Sequence, residues 1–290
     1  MPEEPSALTG GVRFTSVPVY SRRRAKVVPL RLSPTAVSTF RHCRQLYKFL
    51  YIDRIGDQYA RPRPYYTMGN HVHATLRDFL TIVPPQQRTI EAIEGLLRNN
   101  WRRYQIGFRD RQDEKRWAEK ALAQLRAFVL NHDVMARPLM VEESVEAEIT
   151  PGLVLRGRVD RVDREPDGSL HIIDYKTGNM PSEIDWTQLE LHALILSRRF
   201  AWPVRRLSYL YLGPSVLESA GMSEDRLTGA RWELLGVARK VRRERRYLPN
   251  LGPWCAGCDF RPICPGGTEV QPLVATEGQL ELWDDFADEW

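Results

Sequence analysis

Apolar side chains change their period several times along this chain, and each change marks an element. Residues 1–30 form a loose basic leader, with Arg22-Arg23-Arg24 and scattered prolines. Ser33-Pro34 then opens a helix on which Val37, Phe40, Cys43, Tyr47 and Leu50 recur at helical spacing. Arg61-Pro62-Arg63-Pro64 breaks the chain, and a second helix over about 69–80 carries His71, His73, Leu76 and Leu80. Residues 86–132 are polar and helical, rich in Arg, Gln and Trp, and read as a helical insertion. Strands are predicted over 141–149, 153–163 and 169–175. A helix over 186–199, a strand over 207–212 and an amphipathic helix over about 224–246 follow. Helix, three strands, helix and strand is the order of a compact α/β core.

The second and third strands are separated by Glu165-Pro166-Asp167-Gly168, a hairpin turn signal. A hairpin symmetric about Asp167 sets Asp160 directly opposite Asp174, with Cβ atoms roughly 5 Å apart on one face. Lys176 leaves the strand on that face too. Two bare carboxylates so placed repel each other, and a divalent cation between them reverses the effect. Hard cations such as Mg²⁺ or Mn²⁺ suit an all-oxygen site. A lysine beside them can orient water and counter charge building on a phosphate. The plain alternative is a hairpin with solvated charges. Against it, Ile172-Ile173 is apolar on both faces, as in a covered strand, and a carboxylate ending such a strand needs a partner.

With 290 residues, 42% hydrophobic and 27% charged, the chain can fill one large α/β domain or two small ones. No apolar run approaches the roughly 20 residues that span a bilayer, so no membrane partner is expected. Met1-Pro2-Glu3-Glu4-Pro5 lacks the features of a secretory signal, and a cytoplasmic location is expected. Net charge is +5, unevenly spread. Residues 267–290 form an acidic tail with seven acids and no Lys or Arg, so the rest of the chain carries +12 from 42 basic and 30 acidic side chains. A basic body suits a polyanion such as DNA. The tail's Leu282-Trp283-Asp284-Asp285-Phe286 reads as a docking peptide for a helicase or other repair protein, or as a mimic of DNA charge. The phosphate-binding loop G-x-x-x-x-G-K-[ST] is missing, so any motor must be a separate chain.

The four cysteines stand at 43, 255, 258 and 264. In a cytosolic chain such a set points to a metal site before disulfides. Zinc sites usually show two paired knuckles. One distant cysteine with three clustered ones fits an iron–sulfur cluster as well or better. Either occupant ties the first helix to the C-terminal end; four unrelated thiols are the remaining reading.

Taken together these residues resemble the RecB-family nucleases of the PD-(D/E)XK superfamily, in particular the iron–sulfur-stapled branch that includes the AddB nuclease domain. The resemblance covers about 31–265, within a nuclease domain expected over 31–266. The family's G-x-x-D falls on Gly157 to Asp160, and its D-x-K on Asp174-Tyr175-Lys176 followed by Thr177-Gly178. Its helix motif G-x-x-x-H falls on Gly69 to His73. Its Q-x-x-x-Y falls on Gln188 to His192, where the glutamine matches and the tyrosine does not. The staple matches Cys43, Cys255, Cys258 and Cys264, although Arg44 stands where the family often has Pro.

The resemblance implies a restriction-endonuclease-like fold: a mixed central β-sheet flanked by helices, with the insertion at 86–132 and a cysteine staple. It implies a metal-dependent deoxyribonuclease, an exonuclease preferring single strands, acting in DNA repair, recombination or processing. Mg²⁺ or Mn²⁺ would be held by His73, Asp160, Asp174 and the backbone carbonyl of Tyr175, with Lys176 and Gln188 in catalytic roles. The staple would hold a [4Fe-4S] cluster, with Zn²⁺ the lesser alternative. A different reading makes the chain a DNA-binding or scaffolding module with a relict nuclease fold, active only with a partner such as a helicase.

Some residues carry two readings. His73 shares a helix face with Leu76 and Leu80, so it is a core histidine or a ligand. Gln188 and His192 are i, i+4 neighbours, aimed at the site or DNA, or part of a polar surface stripe. Glu146 is the expected acid of the first strand, with Glu142, Glu143 and Glu148 competing. The arginines of 239–246 bind phosphates or complement a helix dipole. Trp101, Tyr104 and Trp117 stack on bases or fill the helical lobe.

Overall fold

The computed structural model describes residues 28–267. Its spine is a six-stranded mixed sheet of β1 (Leu30–Leu32), β2 (Met140–Thr150), β3 (Leu153–Arg164), β4 (Leu170–Lys176), β5 (Val204–Tyr211) and β6 (Val216–Gly221). The strands run in the order β1-β3-β4-β5-β6, with β2 paired antiparallel to β3. Because β2 takes one edge of β3, β1 and β4 share the other. There β1 pairs with Leu153–Leu155 and β4 with Arg161–Arg164. Residues 156–160 lie between these two runs, and the functional side chains gather at that opening.

Helices cover both faces. On one lie α1 (Pro34–His42), α7 (Thr187–Arg199) and α8 (Glu224–Arg243), burying Val37, Leu191 and Leu234 against Leu155, Ile172 and Leu207. On the other lie α4 (Pro64–Thr81), α5 (Ile90–Trp101) and α6 (Arg111–Asn131). The apolar stripe of α4 (Met68, Val72, Leu76, Phe79) packs there with Ile93, Leu125 and Phe128 on Ile173, Tyr175 and Leu210. Covered from both sides, β4 is buried at all seven positions. Two short helices, α2 (Arg44–Tyr47) and α3 (Gly56–Tyr59), flank a π turn over Lys48–Ile52 and cover a small core of Leu46, Phe49 and Phe260.

The β3–β4 hairpin has the expected register: Arg161 faces Ile173, Val162 faces Ile172 and Asp163 faces His171. Gly168 closes the turn with φ +82°, a conformation costly for other residues, and donates its N–H to Glu165 O at 2.8 Å.

Several expected boundaries shift. The first helix does not run on to Leu50. Ser33 Oγ caps it at Ala36 N, but it stops at His42, and Cys43 is extended (φ −151°, ψ 115°). That break carries the Cys43 sulfur to the C-terminal cysteines, and Asn250 satisfies the broken end by donating to His42 O (2.8 Å) and Cys43 Sγ (3.5 Å). The second helix begins earlier, at Pro64, whose missing N–H costs nothing in a first turn. Leu30, expected in the leader, belongs to β1. The strand expected from 207 begins at Val204, and the last long helix ends at Arg243. The edge strand β6 is not legible in the sequence, since Glu, Ser and Gly interrupt its apolar pattern. Most of the basic leader and the acidic tail lie outside the described residues.

Candidate active site

Helix α4 passes close to the end of β4 at Gly69, where a Cβ would meet Thr177 Oγ1 at 3.4 Å, an ordinary contact distance. One turn on, His73 projects beside the apolar stripe toward β2 and β3. Its Nδ1 lies 2.8 Å from Glu142 Oε1 and 3.5 Å from Asp160 Oδ2. Glu142 stands opposite Asp160, between the pairs Val141–Arg161 and Glu143–Val159. Its backbone is left-handed (φ +50°), a strained state for a residue with a side chain and one that clusters at functional sites. Arg158 Nε holds the other Glu142 oxygen at 3.1 Å. One ligand atom each from His73, Glu142 and Asp160 lie within 4.8 Å of one another. Burial pushes the Glu142 carboxyl up, but His73, Arg158 and Arg77 prevail and hold it below the usual carboxylate value.

Asp160 Oδ2 accepts the backbone N–H of Tyr175 at 2.8 Å. The next residue back, Asp174, is held from the α7 side: Gln188 Nε2 donates to its Oδ1 at 3.0 Å, and Lys176 Nζ lies 3.2 Å from its Oδ2. Lys176 also donates to Gln188 Oε1 at 3.1 Å and lies 5.2 Å from the Tyr209 ring centroid. His73, Asp160, Asp174 and Lys176 are only 6%, 5%, 2% and 9% exposed. Charges this deep need partners, and each has them.

This differs in detail from a simple facing pair. Continued by one step the register would set Asp160 opposite Asp174, but paired backbone ends at Arg161–Ile173. The two carboxylates then take partners from opposite helical layers. The result is two linked halves, His73–Glu142–Asp160 and Asp174–Lys176–Gln188, joined at the peptide between Asp174 and Tyr175. The Tyr175 side chain is core, edge-on to Phe128 and His73.

Of the competing glutamates, Glu142 is the one brought to the site. Glu146 instead pairs with Arg31 at the surface (2.8 Å), Glu143 lies near Arg199, and Glu148 accepts Gly152 N–H. Sequence reasoning does not select Glu142, because only the β2–β3 register, not the spelling of the strand, singles it out. His192 is not on a polar stripe. It is buried, neither ring nitrogen has a hydrogen-bond partner among the described residues, and a Cβ at 157 would sit 2.6 Å from its Nε2. Gly157 is thus required by close packing. Burial, then the charge of Lys176, lowers the His192 imidazole to about 4, so it is neutral. Trp101 is buried in the helical lobe, whereas Tyr104 is exposed. In the arginine-rich segment, Arg242 donates to Gly152 O, and Glu244 caps the amides of Arg245, Arg246 and Tyr247.

Far along the chain, Cys43, Cys255, Cys258 and Cys264 all line one small cavity and form no disulfide. Burial, with the other three sulfurs nearby, pushes the Cys258 thiol up to about 11.

A sequence model of the PD-(D/E)XK nuclease superfamily matches residues 31–265, and the chain belongs to that superfamily. Its mixed sheet flanked by helices is the restriction-endonuclease-like core of that class. Among curated proteins it is 29% identical over 157 residues to an ATP-dependent helicase/deoxyribonuclease subunit of Streptococcus mutans serotype c. The match covers 51% of this chain and 14% of that much longer relative. Among solved structures, the crystal structure of SSO0001 aligns with 54% of this chain and 80% of its own, at 22% identity and a TM-score of 0.32. No helix of the described residues is long and apolar enough to cross a membrane.

Proposed function

We propose that the chain is a metal-dependent deoxyribonuclease, an exonuclease that prefers single strands. The observation that carries this reading is the buried convergence of His73, Glu142 and Asp160 next to the Asp174–Lys176–Gln188 chain. One imidazole and two carboxylates, with a third carboxylate one peptide away, are a donor set that fits Mg²⁺ or Mn²⁺. The Tyr175 carbonyl belongs to the same proposed shell. A bound divalent cation would polarise the scissile phosphate and lower the pKa of an attacking water. Lys176 would orient that water and meet the charge growing on the phosphate. Gln188 is a positioning residue: it fixes the Lys176 ammonium and one Asp174 oxygen at once. Arg158, tied to Glu142 yet partly exposed, faces the strand's phosphates.

The four cysteines fit a [4Fe-4S] cluster, Zn²⁺ being the alternative. Their shared cavity supports a structural staple that fastens the end of α1 to residues 255–264. Iron and sulfide analysis of anaerobically purified protein separates the two. The matched relative is named as part of a helicase/deoxyribonuclease. We extend that to a DNA-repair or DNA-processing role with a helicase as partner, reached through the acidic tail. The intact hydrogen bonding around Asp174 and Lys176 favours a working enzyme over a relict scaffold. Labelled single-stranded DNA should be cut with Mn²⁺ or Mg²⁺ and left whole in excess chelator. Cleavage by an Asp174→Ala/Lys176→Ala protein equal to that of the unaltered chain would remove the assignment.

A further inference from the structure

Between the cysteine loop and the first turns of α4 lies a cavity of about 340 Å³ that the catalytic proposal does not use. Tyr51, Tyr65, Tyr66, Tyr104, Asn70 and Phe260 line it. We infer that this cavity takes one unstacked nucleobase of a single-stranded DNA substrate, a reading that rests on the nuclease function proposed above.

The walls suit a flat heteroaromatic ring. Tyrosine faces stack on any base, and such contacts are the usual means of holding a single strand. Tyr104 is 37% exposed yet held flat from behind. Its ring stacks on His71 (centroids 4.3 Å apart, 27° between planes), which packs on Trp101 at 4.8 Å. His71 Nε2 also bonds to Tyr104 O at 3.0 Å. A platform fixed in advance loses little freedom on binding. Asn70, exposed and hydrogen-bonded with the Tyr104 side chain, places the rest of its amide where a base edge would lie. At the cavity edge Arg61 is exposed, while Arg63 is anchored to Gly257 O (2.9 Å) and Asp259 Oδ1 (2.7 Å). Asp57 and Asp259 line the same edge and balance these arginines, so it is the aromatic walls that select a ligand with a planar ring, which neither an aliphatic peptide nor a lipid tail provides.

Position ties the cavity to the chemistry. Tyr66, Asn70 and His73 stand at i, i+4 and i+7 on one face of α4. The seven-residue step from Tyr66 to His73 is about 10 Å along the helix. The captured base therefore lies within a few nucleotides of the bond cut.

The test reads binding, not cleavage. Fluorescence anisotropy of the full chain, in chelator, is measured with labelled oligonucleotides carrying one abasic site at successive positions. The inference predicts one position, or two adjacent ones, where the missing base weakens binding about fivefold to a hundredfold. Tyr66→Ala and Tyr104→Ala should erase that dip and bind the oligonucleotide abasic at that position as the unaltered chain does. A flat scan with the unaltered protein overturns the inference, whatever the variants do, as does a dip that persists in both variants. Cleavage with a flat scan removes the cavity's role and spares the nuclease reading. A dip in a protein that never cuts with Mn²⁺ does the reverse.

Discussion

The carboxylate of Asp160 takes the backbone N–H of Tyr175 at 2.8 Å, at the point where β3 and β4 stop pairing. One side chain thus closes a strand end and serves the site. Asp160→Asn keeps an oxygen for that N–H, so chemical unfolding should place it within about 1 kcal/mol of the unaltered chain. Asp160→Ala leaves a buried amide orphaned and should cost about 1–3 kcal/mol. Both should abolish DNA cleavage. An Asp160→Asn protein that cuts normally contradicts the ligand role.

Gln188 bridges Asp174 and Lys176, donating to one and accepting from the other. Gln188→Ala should release the ammonium and lower kcat by about tenfold to a hundredfold, the scale of a small misplacement. KM should change little, and stability should fall by about 1–3 kcal/mol because a buried Asp174 oxygen loses its donor. Steady-state cleavage kinetics on a short oligonucleotide separate these quantities.

Gly157 gives way to the His192 ring rather than to an unusual backbone. With a Cβ 2.6 Å from Nε2, Gly157→Ala should destabilise the fold by about 1–3 kcal/mol. His192→Ala opens that space. The double variant, measured by urea unfolding, should lose less than the two single losses combined.

Stability should fall on acidification. His171 Nδ1 lies 3.2 Å from Glu165 Oε1 and its Nε2 is hydrogen-bonded with Ser208 Oγ at 2.7 Å, contacts that a neutral ring can satisfy. Burial, then Arg206 and Arg161, outweigh Asp163 and lower its pKa to about 4. Below about pH 6.5 the unfolded chain binds a proton that the folded chain refuses until about pH 4. Stability present above pH 6.5 is therefore lost as pH falls through that window, by roughly 1 kcal/mol per pH unit. His171→Asn should flatten the slope in pH-dependent thermal melts.

What the sequence reveals, it reveals through local rules. The Asp167-Gly168 turn determines the hairpin register, which brings Asp160 and Asp174 to the end of the paired run at Arg161–Ile173. Ile172-Ile173 tells of a strand covered on both faces. Glu142 is hidden because the β2–β3 pairing shifts register between Glu148 and Thr150, an irregularity that the turn residues do not announce. The break at Cys43 is hidden too, since its helical spacing with Phe40 and Tyr47 is intact while its tertiary partner lies some 200 residues on. The tyrosine cavity has no sequence signature, since its walls come from segments brought together only by folding.

The central claim is that carboxylates from three adjacent strands, with His73, hold a divalent cation. Calorimetric titration of Mn²⁺ into the purified chain, alongside Asp160→Asn and Asp174→Asn, tests it most directly. Saturable binding that weakens at least tenfold in each variant is the predicted result. No binding to the unaltered chain, or equal binding to all three proteins, would contradict it.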